Sequence, residues 1–421
     1  MKYFQRSVWL VLAFHLVVLI FVAVVFQVDD MTLSKGEVYK LNKGWIFTGS
    51  DGEHLEIQQL PFLGESMPDE QIVLENIIPK EYFGLTLAFL SADQILRVWM
   101  DDNLVYEFGV EDVRGFGHTP GSVYNFIDIP FDLTQGKVRM EITSPYSDYA
   151  ARLSSITIGE RDVLILKLLQ SNIVNIICNL VIVICGIIFF LLFLIQLASH
   201  QDTGGMQYLC GYCIVASLYY FVETKILHIF YGNQTFYSVM VFLCLMILPF
   251  FIALYYANGM LGIFRLRWRL LLGLICINIV IQIGLQLTNI VDFMNMAFVS
   301  HALIALTVLV VAWAYWDILK EKRDNSVLLG MLGLLFMGIG GTVDIVRMYV
   351  VAASDMGKYS RFGTTCFSLI MLFQHFRQVI KGYAKNTEEN TTIITSAGMG
   401  KATLPIRLFN RPEIVIVTLY K

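Results

Sequence analysis

Hydrophobic positions along this chain fall into two regimes. Eight stretches are apolar almost without interruption, at 8–27, 173–197, 206–222, 236–257, 270–286, 293–316, 327–350 and 362–380. A membrane-spanning helix needs roughly 20 predominantly apolar residues, so each stretch predicts one span, one before and seven after a polar segment. Between 36 and 160 the pattern changes to short alternating or β-rich runs bounded by turn residues, at 55–60, 84–90, 95–100, 104–108, 123–129, 137–143 and 155–158. Such runs predict strands. Asp101-Asp102-Asn103 has the composition of a turn, so the runs on either side of it form a hairpin. Many short strands without helical periodicity imply a β-sandwich, and about 125 residues are enough for one core.

Composition agrees with a membrane protein. The chain is 56% hydrophobic and 15% charged, with mean hydropathy +0.64, against about 25% charged residues in soluble domains. A soluble enzyme is excluded for the chain as a whole. Its net charge of −4 conceals an asymmetry: residues 29–160 hold 22 acidic and 9 basic side chains, or −13, which leaves +9 elsewhere. An acidic segment repels nucleic acid and phosphate polymers rather than steering them in. All seven cysteines lie in the long apolar stretches, so no disulfide framework is expected between 29 and 160. Cys210-Gly211-Tyr212-Cys213 has redox-motif spacing but no βαβ context, and reads as two small helix residues. Nothing around the other cysteines points to a metal, and no cofactor is implied.

Loop charges orient the spans. The first stretch follows Lys2 and Arg6, exceeds the roughly 7–15 residues of a signal-peptide core and lacks a clear cleavage site, so it reads as a signal anchor over 1–28 rather than a removed signal peptide. With a cytoplasmic N-terminus, 29–172 lies outside. Inner loops then contain Arg265, Arg267, Arg269, Lys320, Lys322 and Arg323, with Arg377, Lys381 and Lys385 also inside. The outer loops hold only Lys225, Lys358 and Arg361, with Arg347 near a helix end, as the positive-inside rule requires. Both termini are cytoplasmic on this reading, and short loops make successive helices antiparallel neighbours.

Two sets of residues are candidates for function. In the β segment, the aromatic Trp45, Trp99, Tyr106, Tyr124, Tyr146 and Tyr149, with Arg97, His118 and Asn125 as polar partners, suit a small sugar-like ligand. Trp45 and Trp99 are expected as core anchors, and Tyr146 and Tyr149 as exposed loop residues. Asp101 and Asp102 read as a hairpin turn rather than a calcium site. Among the helices, Asn278, Gln282, Gln286 and Asn289 stand at i, i+4, i+8 and i+11, one narrow stripe turned to the bundle interior. Asp344 and Arg347 are spaced to meet on one face, and Glu223 and Asp292 fall at outer helix ends. These charges make either salt bridges or a polar latch beneath the β domain. Gly330, Gly333, Gly340 and Gly341 allow close approach of a neighbouring helix, and Pro249 kinks another.

The order of parts resembles a known family. An N-terminal span precedes a β domain carrying Gly44-Trp45, Arg97-Val98-Trp99-Met100-Asp101-Asp102-Asn103-Leu104-Val105-Tyr106, Ile127-Asp128-Ile129-Pro130 and Ile156-Thr157-Ile158-Gly159, and seven spans follow. Over about 36–385 the chain resembles the bacterial seven-transmembrane receptors with diverse intracellular signalling modules. That resemblance implies a jelly-roll sensor domain (33–160), a seven-helix domain (173–380), an inner-membrane location, a soluble extracytoplasmic ligand and a cytoplasmic signalling partner. In that family the seventh helix leads into a cyclase, kinase or phosphatase domain. Here 381–421 reads as a short tail, with no G-G-D-E-F, kinase H-box or nucleotide-binding glycine loop, so the chain is not expected to be an enzyme. His375 reads as a helix-end histidine rather than a phosphoacceptor, Gly398-Met399-Gly400-Lys401 as too short for a phosphate loop, and 404–421 as one strand. Two other expectations stay open: an inactive relative of a membrane cyclase or sensor kinase, and a transporter or channel with an external lid, whose pathway would be the polar stripe.

Overall fold

A computed structural model of the protein describes residues 36–49, 52–110, 116–199, 202–260, 265–321, 325–348 and 357–389. The expected anchor over 1–28, the glycine-lysine motif and the strand over 404–421 lie outside the described residues.

Residues 39–159 form an antiparallel β domain. Its strands are β1 (Tyr39–Lys40), β2 (Trp45–Thr48), β3 (His54–Ile57), β4 (Phe62–Leu63), β5 (Ile72–Ile77), β6 (Thr86–Ser91), β7 (Ile95–Met100), β8 (Asn103–Phe108), β9 (Val123–Asp128), β10 (Lys137–Thr143), β11 (Arg152–Leu153) and β12 (Thr157–Gly159). One sheet has the order β3-β2-β5-β10-β7-β8, a second β1-β12-β6-β9, and β11 pairs with β4. Alternation supplies the core: Trp45, Leu74, Val98, Met100, Val138 and Met140 from the six-stranded sheet meet Leu87, Ile127 and Ile158 from the other. Strands β7 and β8 form the expected hairpin, with Asp101 and Asp102 at φ +44° and +64°, the backbone a two-residue turn needs to match strand twist.

A helix absent from the sequence expectations joins the domain to the bundle. Helix α2 (Arg161–Ser171) follows β12 directly and runs into α3 (Ile173–Ala198) through Asn172; the four-residue α1 (Ser147–Ala150) lies earlier in the β domain. Arg161 bonds both oxygens of Asp128 at 3.1 Å, and Val163 and Leu164 are buried. The remaining helices are α4 (Met206–Glu223), the short α5 (Leu227–Phe230), α6 (Gln234–Met260), α7 (Arg265–Leu287), α8 (Phe293–Glu321), α9 (Asn325–Val346) and α10 (Lys358–Glu389). Contacts run α3–α4–α6–α8–α9–α10 and back to α3, a closed ring with α7 against α6 and α8.

Five of these helices, α3 and α6–α9, are long and apolar enough to cross a membrane, which makes this a multi-pass membrane protein. Their exposed faces are apolar, as on α3 with Ile173, Ile177, Leu180, Ile184, Ile187, Leu191 and Leu194, the face a lipid surround requires. Helices α4 and α10 differ because their polar residues turn inward. Tyr212, Tyr219 and Tyr220 of α4 and Arg361, Thr364, Ser368 and His375 of α10 are all buried. At Gly340 and Gly363 helices α9 and α10 touch through their backbones, where an added Cβ would stand 2.4 Å from a carbonyl oxygen.

Candidate functional site

The β domain meets the bundle through three loops. Asp93 turns the chain between β6 and β7 at φ +50°, and its carboxylate accepts hydrogen bonds from Thr119 and from Ser122 Oγ (3.0 Å). Its carbonyl accepts one from Ser144 Oγ (2.7 Å), and the Gln94 amide donates to the carbonyls of Tyr149 and Arg152. These bonds tie the segments 92–94, 116–122 and 144–152 into one surface.

That surface closes on Asp292, which immediately precedes α8 and is 4% exposed. Its Oδ2 accepts from Tyr146 Oη (2.7 Å), the His118 backbone N–H (2.9 Å) and His118 Nδ1 (3.1 Å). Gln286 Nε2 stands 3.5 Å from Oδ1, while Gln286 Oε1 accepts the Phe293 N–H at 2.6 Å. Phe116 of the β domain packs on Phe293, which also packs on Phe242. In such an apolar setting a satisfied carboxylate is held firmly and an unsatisfied one is costly. Gly117, at φ +74°, permits this approach, since a Cβ there would lie 2.6 Å from Gln286 Nε2.

Two cavities open beside this seam. The first, about 100 Å³, is lined from the β domain by Asp93, Tyr149 and Arg152 and from the bundle by Glu223, Lys225 and His228, among others. Glu223 and Lys225 pair at 3.4 Å, and the Arg152 guanidinium lies 4.4 Å over the Tyr149 ring. Burial raises the Tyr149 phenol. Burial, with the Lys225 charge adding to it, lowers the His228 imidazole to about 4, although its bond with Gln234 opposes the shift. The second cavity, about 270 Å³, lies on the bundle axis with walls from α4, α6, α8, α9 and α10. Tyr219, Leu245 and His301 line both. In the axial cavity Asp344 Oδ2 accepts the Ser360 N–H at 2.7 Å, and Thr364 Oγ1 lies 2.9 Å from Tyr220 Oη and 3.3 Å from Tyr212 Oη.

The sequence candidates disperse into three places. Arg97 and Trp99 lie on the outer face of the six-stranded sheet, Arg97 paired with Glu107 at 3.0 Å. Trp99, expected as a core anchor, is only half-buried, because Leu96, Val98 and Met100 take the inward positions; Trp45 is fully buried. Tyr106 donates to Asn125 Oδ1 at 3.0 Å, Asn125 donates to Ser91 Oγ at 2.9 Å, and the neighbouring Tyr124 is half-buried. His118, Tyr146 and Tyr149 belong to the seam. The expectation that Tyr146 and Tyr149 are exposed is therefore corrected: the bundle covers them.

Among the helix candidates, Gln282 bonds Asn278 (2.9 Å) and Ser300 (3.1 Å), so the stripe knits α7 to α8. Asn289 leaves it, at φ +54° beyond the end of α7. Asp344 and Arg347 meet at 3.6 Å. Arg361, expected in an outer loop, is 1% exposed within α10 and donates to the Tyr220 carbonyl at 2.9 Å. His375 is buried 3.0 Å from Tyr255 Oη, and Cys210 and Cys213 are both free and buried. His301, His228 and Tyr219 were missed, although an imidazole eight residues inside an apolar stretch is a recognisable signal. Among the described residues no cluster of His, Cys, Asp or Glu suits a metal ion. The chain matches no family model, no curated protein and no solved structure.

Proposed function

We propose that this protein is a bacterial inner-membrane receptor whose extracytoplasmic jelly-roll-like domain senses a small neutral or cationic molecule of glycan type and passes the change through seven spanning helices. Helices α4 and α10 complete the seven, their polar residues shielded by neighbours. Basic residues favour this orientation: Arg267, Arg269 and Lys320 gather at the bundle end away from the β domain, with Lys225 and Lys358 at the near end. The cytoplasmic end of α10 would then couple to a signalling partner, and the chain itself performs no catalysis.

One observation carries the reading. A buried carboxylate between α7 and α8 accepts three hydrogen bonds from two loops of the β domain, so movement in those loops must alter the bundle or break the bonds. A transporter with an external lid is disfavoured because the polar stripe lies outside the axial cavity, with Gln282 at its centre bonded to Ser300 of α8. Reporter fusions at Asn233 and Glu321 should read outside and inside; the reverse overturns the orientation. In Asp292→Ala, hydrogen exchange should rise in loop 116–122 and also along α10 at 358–377. A rise confined to the loop removes the relay.

A further inference from the structure

The axial cavity has a side door. Of its lining residues, Ala305 and Leu309 of α8 and Thr342 of α9 are exposed, Leu309 by 66%. All three lie where α8 and α9 face outward, beside the exposed Leu306, Leu335 and Ile339. Gly338 and Gly341 line the same gap, and an added Cβ at Gly341 would meet nothing within 4 Å. The cavity therefore opens sideways, between two helices that each qualify as membrane spans, toward the hydrocarbon of the bilayer. Its walls are mostly apolar, with Leu248, Pro249 and Ile252 buried and Ile304 and Val308 half-buried.

Its one carboxylate, Asp344, lies two residues before the end of α9 nearest the β domain. Asp344 is the only Asp, Glu, Lys or Arg among the described lining residues, and is 5% exposed. One of its oxygens receives the Ser360 N–H, while Oδ1 accepts no hydrogen bond among the described residues and has the Arg347 guanidinium at 3.6 Å. A buried acceptor left with spare capacity is costly and calls for a donor. A cavity of about 150 Å³ holds benzene, so one of about 270 Å³ holds roughly ten heavy atoms on the same scale.

We propose that the axial cavity binds a small amphiphile, an apolar body with one hydrogen-bond-donating head, which enters from the bilayer between α8 and α9 and seats its head at Asp344. The site rests on the membrane reading above, and supplies the receptor with a second, lipid-borne input distinct from any ligand of the β domain.

The full chain in lipid nanodiscs tests this, with the melting midpoint read against phenylbutylamine, phenylbutanol, phenylbutyrate and butylbenzene. The amine and the alcohol should raise the midpoint saturably and more than butylbenzene, and the carboxylate should not. Gly341→Phe fills open space at the door, so it should keep the unliganded midpoint and lose the response. Asp344→Asn should weaken the amine about tenfold, the cost of one charge-assisted bond, and spare butylbenzene. Equal stabilisation of wild type and Gly341→Phe would assign the effect to the bilayer and overturn the site. Equal effects of butylbenzene and the headed probes would make the cavity a lipid-chain pocket, which also overturns it, as would stabilisation by phenylbutyrate alone or by none of the four. Any of these failures leaves the fusion and exchange results standing, whereas inverted fusions would remove the orientation and leave probe binding measurable.

Discussion

The two cores of this molecule are built on opposite terms. Between the sheets of the β domain the interior is aliphatic and aromatic, and its largest polar side chain, Trp45, gives its indole N–H to the Leu41 carbonyl at 2.7 Å. The bundle interior is threaded with tyrosines: Tyr315 donates to Tyr256, Tyr255 meets His375, and Tyr212 and Tyr220 converge on Thr364. Several buried polar atoms there, including both amide atoms of Asn179, Trp268 Nε1 and Arg361 Nε, have no hydrogen-bond partner among the described residues. Water drives the first core to close, because every apolar surface it hides is taken from solvent. Lipid offers no such drive, so packing and interhelical bonds hold the second core. A bundle held in that way can keep an axial cavity and rearrange its bonds.

The largest expected effect tests how separate the cores are. Trp45→Ala should cost the β domain about 3–5 kcal/mol through lost burial and an unfilled void. Hydrogen–deuterium exchange should accelerate across the strands while the middles of α3, α6 and α8 keep their protection. Loss of protection in those helices to the same degree would mean that the cores form a single cooperative unit and the contrast drawn above is wrong.

A smaller effect sits at the seam and depends on pH. His228 stacks on Tyr237 at 4.2 Å and its Nδ1 bonds Gln234; burial and the Lys225 charge lower its imidazole from 6.5 to about 4. The folded chain therefore holds it neutral, while the unfolded chain takes up a proton below the ordinary value. Stability should be complete above pH 6.5 and fall as the pH drops toward 4, by up to about 3 kcal/mol. His228→Gln should flatten that part of the melting-midpoint profile. An unchanged slope would place the acid sensitivity elsewhere.

Much of this plan was legible in the residues. Period-two alternation located β7 and β10 to the residue, and the apolar stretches located seven long helices, because both signals are local and repeat. Strand β5, at the centre of its sheet, was missed: Ile72-Val73-Leu74-Glu75-Asn76-Ile77 puts two apolar residues outside the buried face and so blurs the alternation. The seam was missed for a different reason. Ser144-Pro145-Tyr146-Ser147-Asp148-Tyr149 has the composition of a solvated loop, and only the position of Asp292, 146 residues from Tyr146, makes it an interior one. Arg361 misled in the same way, since a basic residue at a helix start reads as loop until Tyr220 is found opposite it.

The smallest effect belongs to the β domain alone and sharpens the comparison from its far side. Asp101, in the hairpin turn away from the seam, is drawn upward by partial desolvation, but this is outweighed by backbone N–H groups of Gln135, Lys137, Thr134 and Gly136, which leave its carboxyl at about 2 against an ordinary 3.8. Three of those bonds measure 2.6–3.0 Å, and they hold the segment 134–137 against the turn. Because the folded value is depressed, the stabilisation is present above pH 3.8 and is lost as the pH falls through 2. The carboxylate is close to solvent, so screening keeps the effect small. Asp101→Asn keeps one acceptor oxygen and removes the charge. It should lower the melting midpoint slightly at neutral pH, erase the difference from wild type near pH 2, and leave exchange in loop 116–122 unchanged. A neutral-pH loss as large as that of Trp45→Ala, or any loosening of the 116–122 loop, would show that the turn is wired to the bundle and that the β domain does not stand on its own core.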